Sequence, residues 1–329
     1  MNYPIFISVV IPSYNRSVYL SKILNNLKKN FRSFKFFEII VCDSNSKDST
    51  KKEVTFFQKN NNYIPIVYIN LKKNNHSMKR NIGIKKARGK YIVLLDDDCF
   101  PEDDFLNQYY YLLEKFKYKK KNIYCGSVKY PHFFLKDNFV KYRQSRHFVV
   151  NKKYSYSNNN LQAKNIVTMN MAFNKEIILK NKILFNEKFN KYGFEDYDFA
   201  FRLINSGFKL FPSSPLVFHN DSRSFKKYLE KLKYIGFESA SFLAKLNYQA
   251  AINNNFYKLE KNFIIKILVK SKFFRILLEI FEKLLVKVDK NFIYLPIIYK
   301  YAFAGAYLQG CISKFDKNIS QNIKYQWYK

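Results

Sequence analysis

The sequence predicts an α/β protein: a mostly parallel sheet flanked by helices, followed by a helical C-terminal extension. Three observations carry this. Four short apolar runs rich in β-branched residues fall within the first hundred positions. Segments with helical spacing alternate with them, and strand–helix–strand alternation builds parallel sheets covered on both faces. Beyond about residue 222 only helical patterning remains.

Taken in order, residues 6–11 (FISVVI) form a continuous apolar run suited to a strand buried on both faces. Residues 17–31 carry Val18, Leu20, Ile23, Leu24 and Leu27 at helical spacing. Residues 38–42 (EIIVC) make a second strand, and Asp48, Ser49 and Thr50 open a helix over 48–58. Residues 66–71 are a third strand, 77–88 a basic helix that Gly89 is expected to cap, and 91–95 (YIVLL) a fourth strand. Further on, 102–117 reads as helix, 122–130 as strand, 132–165 as a basic, Asn-rich loop, 166–173 as apolar, 195–203 as helix and 216–219 as a short strand. The division expected is 1–229 as a catalytic domain, its halves meeting near residue 105, and 230–329 as a helical region.

In parallel α/β sheets ligands bind at the carboxyl ends of the strands. Residues 13–16, 43–48 and 96–98 all occupy such ends. Asp96, Asp97 and Asp98 are three adjacent carboxylates that repel unless a cation offsets them. Oxygen ligands of this kind suit Mg²⁺ or Mn²⁺, and an acidic helix-start loop before Pro101 and Glu102 is the bland alternative. Asp43 could meet a nucleotide base or ribose, or belong to a capped turn. Lys79 and Arg80, on the basic helix, could reach a diphosphate. Glu195 and Asp196 follow Gly193 and Phe194 at a helix start, where an anion is favoured by the helix dipole and could act as a general base. His219 ends a strand beside Asp221 and is a candidate metal ligand.

Net charge is +33, from 58 Lys and Arg against 25 Asp and Glu. Such a surplus points to an anionic partner, although only nine of the 58 are Arg and the residue usage follows A/T-rich codons. Four dispersed cysteines exclude a disulfide scaffold and fit a reducing compartment. The first twelve residues lack the basic start and cleavage site of a signal peptide, and no run of about 20 apolar residues occurs. The 271–288 segment is amphipathic. It reads either as a helix packed on its own domain or as a cationic helix lying in a membrane interface, with 292–310 adding aromatic surface.

Together, V-V-I-P-S-Y-N-R (9–16), I-I-V-C-D-S-N-S-K-D-S-T (39–50), the stretch from Ser77 through Asp98, T-M-N-M-A-F (168–173) and G-F-E-D-Y-D-F-A-F-R-L (193–203), followed by His219, resemble family 2 glycosyltransferases over about residues 4–221. That resemblance implies a GT-A-type, Rossmann-like fold and a nucleotide-sugar donor. It implies that Pro12, Tyr14 and Arg16 line the nucleotide pocket and that Asp43 meets the base. Arg80 would hold ribose or diphosphate, and Asp96 and Asp97 would contact ribose or donor sugar. Asp98 and His219 would bind Mn²⁺ or Mg²⁺, Asn170 would lie near the donor sugar, Asp196 would be the base, and Glu195 would hold the acceptor. Ser44 replaces a second Asp that many members use for uracil, so a UDP-sugar is only the favoured donor.

The reaction expected is inverting transfer to a glycan or lipid-linked saccharide. A nucleotidyltransferase on a similar sheet would normally show a Gly-rich phosphate loop, which Ile11-Pro12-Ser13-Tyr14 is not. A nucleic-acid-binding protein is suggested by charge and 19% aromatics, but Arg is scarce and no recognised motif occurs, so no nucleic-acid partner is expected. The expected location is the cytoplasm, with a peripheral seat on an anionic membrane inner face following from the second reading of 271–288.

Overall fold

The computed structural model describes residues 4–313 except 154, 167, 191, 222–223 and 291–292. These fall into two compact units. One comprises Met1–Pro131, His147–Asn190 and Glu195–Asp221; the other comprises His132–Arg146, Lys191–Phe194 and Ser222–Lys329.

The first unit opens with β1 (Ile7–Ser13), α1 (Ser17–Asn30), β2 (Phe37–Asp43), α2 (Thr50–Asn60), β3 (Ile66–Asn70), α3 (His76–Lys86) and β4 (Tyr91–Leu95). Every residue of β1, β2 and β4 is buried, as their mostly apolar runs demand, with the buried Ser8 hydroxyl bonded to Glu38. Then come β5 (Cys99–Pro101), α4 (Phe105–Lys115) and β6 (Asn122–Lys129). In the second unit lies α5 (Asn138–Gln144); the first resumes with β7 (Asn170–Asn174), α6 (Lys175–Lys180), α7 (Glu195–Asn205) and β8 (Lys209–His219).

The eight strands form one sheet in the order β3-β2-β1-β4-β7-β6-β8-β5. Pairing is parallel from β3 to β4 and between β6 and β8. β7 is antiparallel to both β4 and β6, and β5 is antiparallel to β8. The mostly parallel α/β sheet predicted from the sequence is therefore the one that forms. Two apolar layers cover its faces, one built on Val9, Ile11 and Leu24, the other on Val10, Ile84 and Phe199.

Three expectations change. Gly89 does not cap α3; the helix ends at Lys86 with Ala87 as its cap. A side chain at Gly89 would meet the Ser8 backbone nitrogen at 2.7 Å, so close approach to β1 is what requires glycine there. The 132–165 stretch is not loop throughout, because α5 buries Phe139, Val140 and Tyr142. Two turns are too short to display a period in sequence. The strand expected at 216–219 is an eleven-residue β8 whose part before Leu216, with Pro212 and Pro215 in it, carries poor strand signals.

The second unit continues with α8 (Phe225–Tyr234), a turn of π-helix (Ile235–Ser239), α9 (Ala240–Leu246), α10 (Tyr248–Asn253), α11 (Asn255–Lys261), α12 (Phe263–Lys270), α13 (Lys272–Val288) and α14 (Pro296–Ser313). Its centre is aromatic: Phe139 stacks on Phe225 at 4.9 Å and Tyr142 on Tyr299 at 5.4 Å. No helix among the described residues is long and apolar enough to cross a membrane.

Candidate active site

The strand ends of the first unit converge as parallel topology requires. After β1, Asn15 takes a left-handed conformation (φ 50°), tolerable for Asn. Its Oδ1 accepts from Lys47 N at 2.8 Å, and its own N donates to Ser46 Oγ at 2.7 Å. Asp48 Oδ2 accepts from Ser17 N at 2.9 Å, at the start of α1. The loops after β1 and β2 are thus laced into one rim that carries Tyr14 and Arg16. Pro12 is buried within β1, opposite Cys42 of β2.

Asp43, at the end of β2, is fully buried. Its carboxylate accepts from Tyr68 OH at 2.7 Å, from Ser46 N at 3.0 Å and from Ser46 Oγ. Tyr68 had no signal in the sequence, since nothing marks a strand tyrosine as a carboxylate partner. Lys79 is buried as well. Its Nζ donates to Ser13 O at 3.2 Å and to Asn74 Oδ1 at 3.0 Å. Burial, opposed by Asp97, lowers its pKa to about 8.

The centre of the site is Arg80. Held on α3 and stacked over Phe185 at 5.3 Å, it is almost wholly enclosed. Nη2 lies 2.9 Å from Asp96 Oδ1, Nη1 3.4 Å from Asp196 Oδ1, and Nη1 4.0 Å from Glu195 Oε1. Burial disfavours its charge, but Asp196, Asp96 and Glu195 outweigh that and raise its pKa. One guanidinium thereby joins the end of β4 to the start of α7, about a hundred residues apart in sequence. Gly193 and Phe194 precede α7 with φ of 103° and 70°, and the helix begins at Glu195.

The triple aspartate divides its work. Burial raises Asp96, with Arg80 opposing. Burial and then the Asp98 charge push Asp97 up to about 7. Burial would raise Asp98 too, but His219 and Arg16 outweigh it and hold its carboxyl below the usual range. Asp98 Oδ1 is 3.5 Å from His219 Nε2, and Asp98 Oδ2 is 3.9 Å from Arg16 Nη2. The pairing of β5 with β8 sets Cys99 directly opposite His219. Ligand atoms of Asp98, Cys99 and His219 lie within 4.8 Å of one another. An oxygen and an imidazole nitrogen this close, beside two further carboxylates, fit a divalent cation. Cys99 was not singled out by sequence reasoning, because a lone cysteine carries no ligand signal.

Asn170 is placed differently from the rest. Fully buried in β7, its Oδ1 accepts from Tyr109 OH at 2.6 Å, and its Nδ2 donates to Ser127 O at 3.0 Å and Pro215 O at 2.9 Å. Both amide hydrogens are spent inside the protein. Through these bonds Asn170 braces β6, β7 and β8.

Chemically, the arrangement offers a carboxylate–imidazole pair for a cation, cationic side chains facing the same rim, and a partly exposed carboxylate at a helix start. Residues 8–181 match the sequence model of the family described as "Glycosyl transferase family 2". A Methanococcus voltae protein named dolichyl N-acetyl-alpha-D-glucosaminyl phosphate 3-beta-D-2,3-diacetamido-2,3-dideoxy-beta-D-glucuronosyltransferase is 25% identical over 229 residues, 69% of this chain and 70% of that one. The GalNAc(5)-diNAcBac-PP-undecaprenol beta-1,3-glucosyltransferase of Campylobacter jejuni is 36% identical over 92 residues, 28% of this chain but only 29% of its own length. Among solved structures, a Pyrobaculum calidifontis mannosyltransferase in complex with GDP-Man and Mn²⁺ superposes with a TM-score of 0.59 at 16% identity, over 96% of this chain and 88% of that one. Staphylococcus aureus TarS, in complex with UDP, gives 0.50 at 17% identity, over 98% and 93%. At these identities the structural likeness is one of fold, the GT-A type.

Proposed function

Because the chain belongs to glycosyl transferase family 2 and is a glycosyltransferase, we propose that it moves a sugar from a nucleotide-sugar donor, a UDP-sugar first, to a hydroxyl of a glycan or lipid-linked saccharide with inversion. The observation that carries this is the Arg80 fork, which holds Asp96 and Asp196 on one guanidinium. Arginine there places one positive charge beside both carboxylates. Asp196, the more exposed of the two, takes the proton from the acceptor hydroxyl as that oxygen attacks the anomeric carbon. Glu195 beside it orients the acceptor. The nucleoside diphosphate departs from the opposite face, and a single displacement inverts the centre.

Pro12, Tyr14, Arg16 and Asp43 are assigned to the nucleotide side, and Asp96 and Asp97 to ribose and sugar. Asp98 and His219 would hold Mn²⁺ or Mg²⁺. That ion, when bound, supplies positive charge beside the departing diphosphate. UDP is favoured by the nucleotide in the TarS complex, while the GDP-Man complex keeps a purine donor as the second choice. Inversion is supported by the beta linkages in the names of both relatives, since a β product from an α-linked donor needs one displacement. Their dolichyl and undecaprenol acceptors support a lipid-linked acceptor and a peripheral seat on the inner face of the membrane.

The test is a panel of nucleotide sugars with Mn²⁺, scored for release of nucleoside diphosphate. Hydrolysis of one sugar class, lost in Asp98→Ala, supports the reading. No release from any nucleotide sugar, or release of pyrophosphate from a sugar phosphate and nucleoside triphosphate, overturns it.

A further inference from the structure

The second unit carries an apolar face that is exposed among the described residues. On α13, Phe273, Ile276, Leu277, Ile280, Phe281, Leu284 and Val288 are exposed, Phe273 at 71% and Leu284 at 56%. At 100° per residue they occupy a stripe about 140° wide. The opposite side of the same helix faces inward: Leu285 is buried, and Glu282 is bound to Lys233 at 2.8 Å. On α12, Phe263, Ile264, Ile267 and Leu268 are likewise exposed, Phe263 at 74%. Two consecutive helices therefore turn their large apolar side chains to solvent. Soluble proteins rarely leave so long an apolar surface bare.

Charge identifies the occupant. Lys272 and Lys283 border the α13 stripe along one edge, and Lys287 lies just inside it. Residues 255–301 carry ten Lys and Arg against four Asp and Glu. Three of those four acids are turned to internal partners: Glu260 accepts from Tyr307 OH, Glu282 from Lys233, and Asp289 from Phe139 N and Tyr299 OH. Apart from Glu279, what faces outward is apolar and cationic, the complement of an anionic lipid surface. Spanning is not the mode, since no described helix meets its length and apolarity. A helix of this length, about 25 Å, suits lying flat at the headgroup–acyl boundary.

We propose that α12 and α13 form a monotopic docking face which inserts into the interfacial layer of an anionic bilayer. Apolar side chains enter the acyl boundary, and the bordering lysines pair with lipid phosphates. This locates the membrane seat of the reading above and rests on its membrane clause, not on its chemistry.

The full-length chain is co-sedimented with vesicles of phosphatidylcholine alone and with about one-third phosphatidylglycerol. A Phe273→Trp variant reports insertion by a fluorescence blue shift and by quenching from brominated acyl chains. Leu277→Glu with Ile280→Glu, at exposed positions whose change leaves the thermal melt unaltered, is the loss variant. Expected are preference for the anionic vesicles, acyl-chain quenching, and partitioning weakened at least about ten-fold in the double variant. Equal binding by the double variant, or absence of quenching, overturns the proposal. So does a dimer in vesicle-free buffer that the double variant dissociates, which would assign the face to a second copy. Donor hydrolysis measured without vesicles is independent of all these outcomes, so loss of one reading is distinguishable from loss of the other.

Discussion

Arg80 Nη1 lies 3.4 Å from Asp196 Oδ1, while Nη2 of the same guanidinium lies 2.9 Å from Asp96 Oδ1. A side chain on α3 thus fixes the distance between the end of β4 and the start of α7. Only a planar fork with two separated nitrogens can do this, and an ammonium cannot. Arg80→Lys is expected to lower turnover by about 100-fold through misplacement of Asp196. Arg80→Met should also cost about 3 kcal/mol of stability, because Asp96 would be left without its cation. Steady-state kinetics and urea unfolding check the two effects separately.

Asp196→Asn keeps the shape and removes the proton acceptor. Turnover should fall by about 10³-fold, while the affinity for nucleoside diphosphate, read by calorimetry, stays within a factor of two or so. Retention of most turnover would move the base elsewhere, Glu195 being the next carboxylate in reach of Arg80.

Asp98 and His219 should share one ion. Asp98→Asn and His219→Gln are each expected to weaken Mn²⁺ binding by about ten-fold or more, measured by electron paramagnetic resonance of free Mn²⁺. A chelator should abolish donor hydrolysis in the wild type, with recovery on adding Mn²⁺.

Lys79 makes stability depend on pH in a known direction. Its folded pKa is about 8 against an ordinary 10.5. Between those values the unfolded chain binds more protons than the folded one, so stability rises with pH across the window. Below pH 8 the full penalty of the buried charge, about 3 kcal/mol, is present. Urea unfolding at pH 7.5, 9 and 10 should show this rise in the wild type and lose it in Lys79→Met.

Gly126 lies against the Asn170 amide, so a Cβ there would displace it from the carbonyls of Ser127 and Pro215. Gly126→Ala is expected to destabilise by about 1–3 kcal/mol. Thermal unfolding checks it, with Gly207→Ala, whose nearest neighbour is the flexible end of Lys121, as the positive-φ comparison.

By itself the amino-acid order determined the sheet, its carboxyl-end loops and most of the polar residues that meet there. Apolar runs, helix starts and strand-end carboxylates are local signals, and parallel topology converts them into a common location. Tertiary structure alone decided which charges pair. Arg80 reaches Asp96 sixteen residues away and Asp196 far beyond it, and no local pattern encodes such a contact. The same holds for Tyr68 on Asp43, for Cys99 beside His219, and for Asn170, whose amide is bound by Tyr109 of α4 and by carbonyls of β6 and β8. The amphipathic stripe of α13 was legible as a period. Whether it faced inward or outward depended on the helices packed against it, because a period fixes a face and only its neighbours fix the side that face is on.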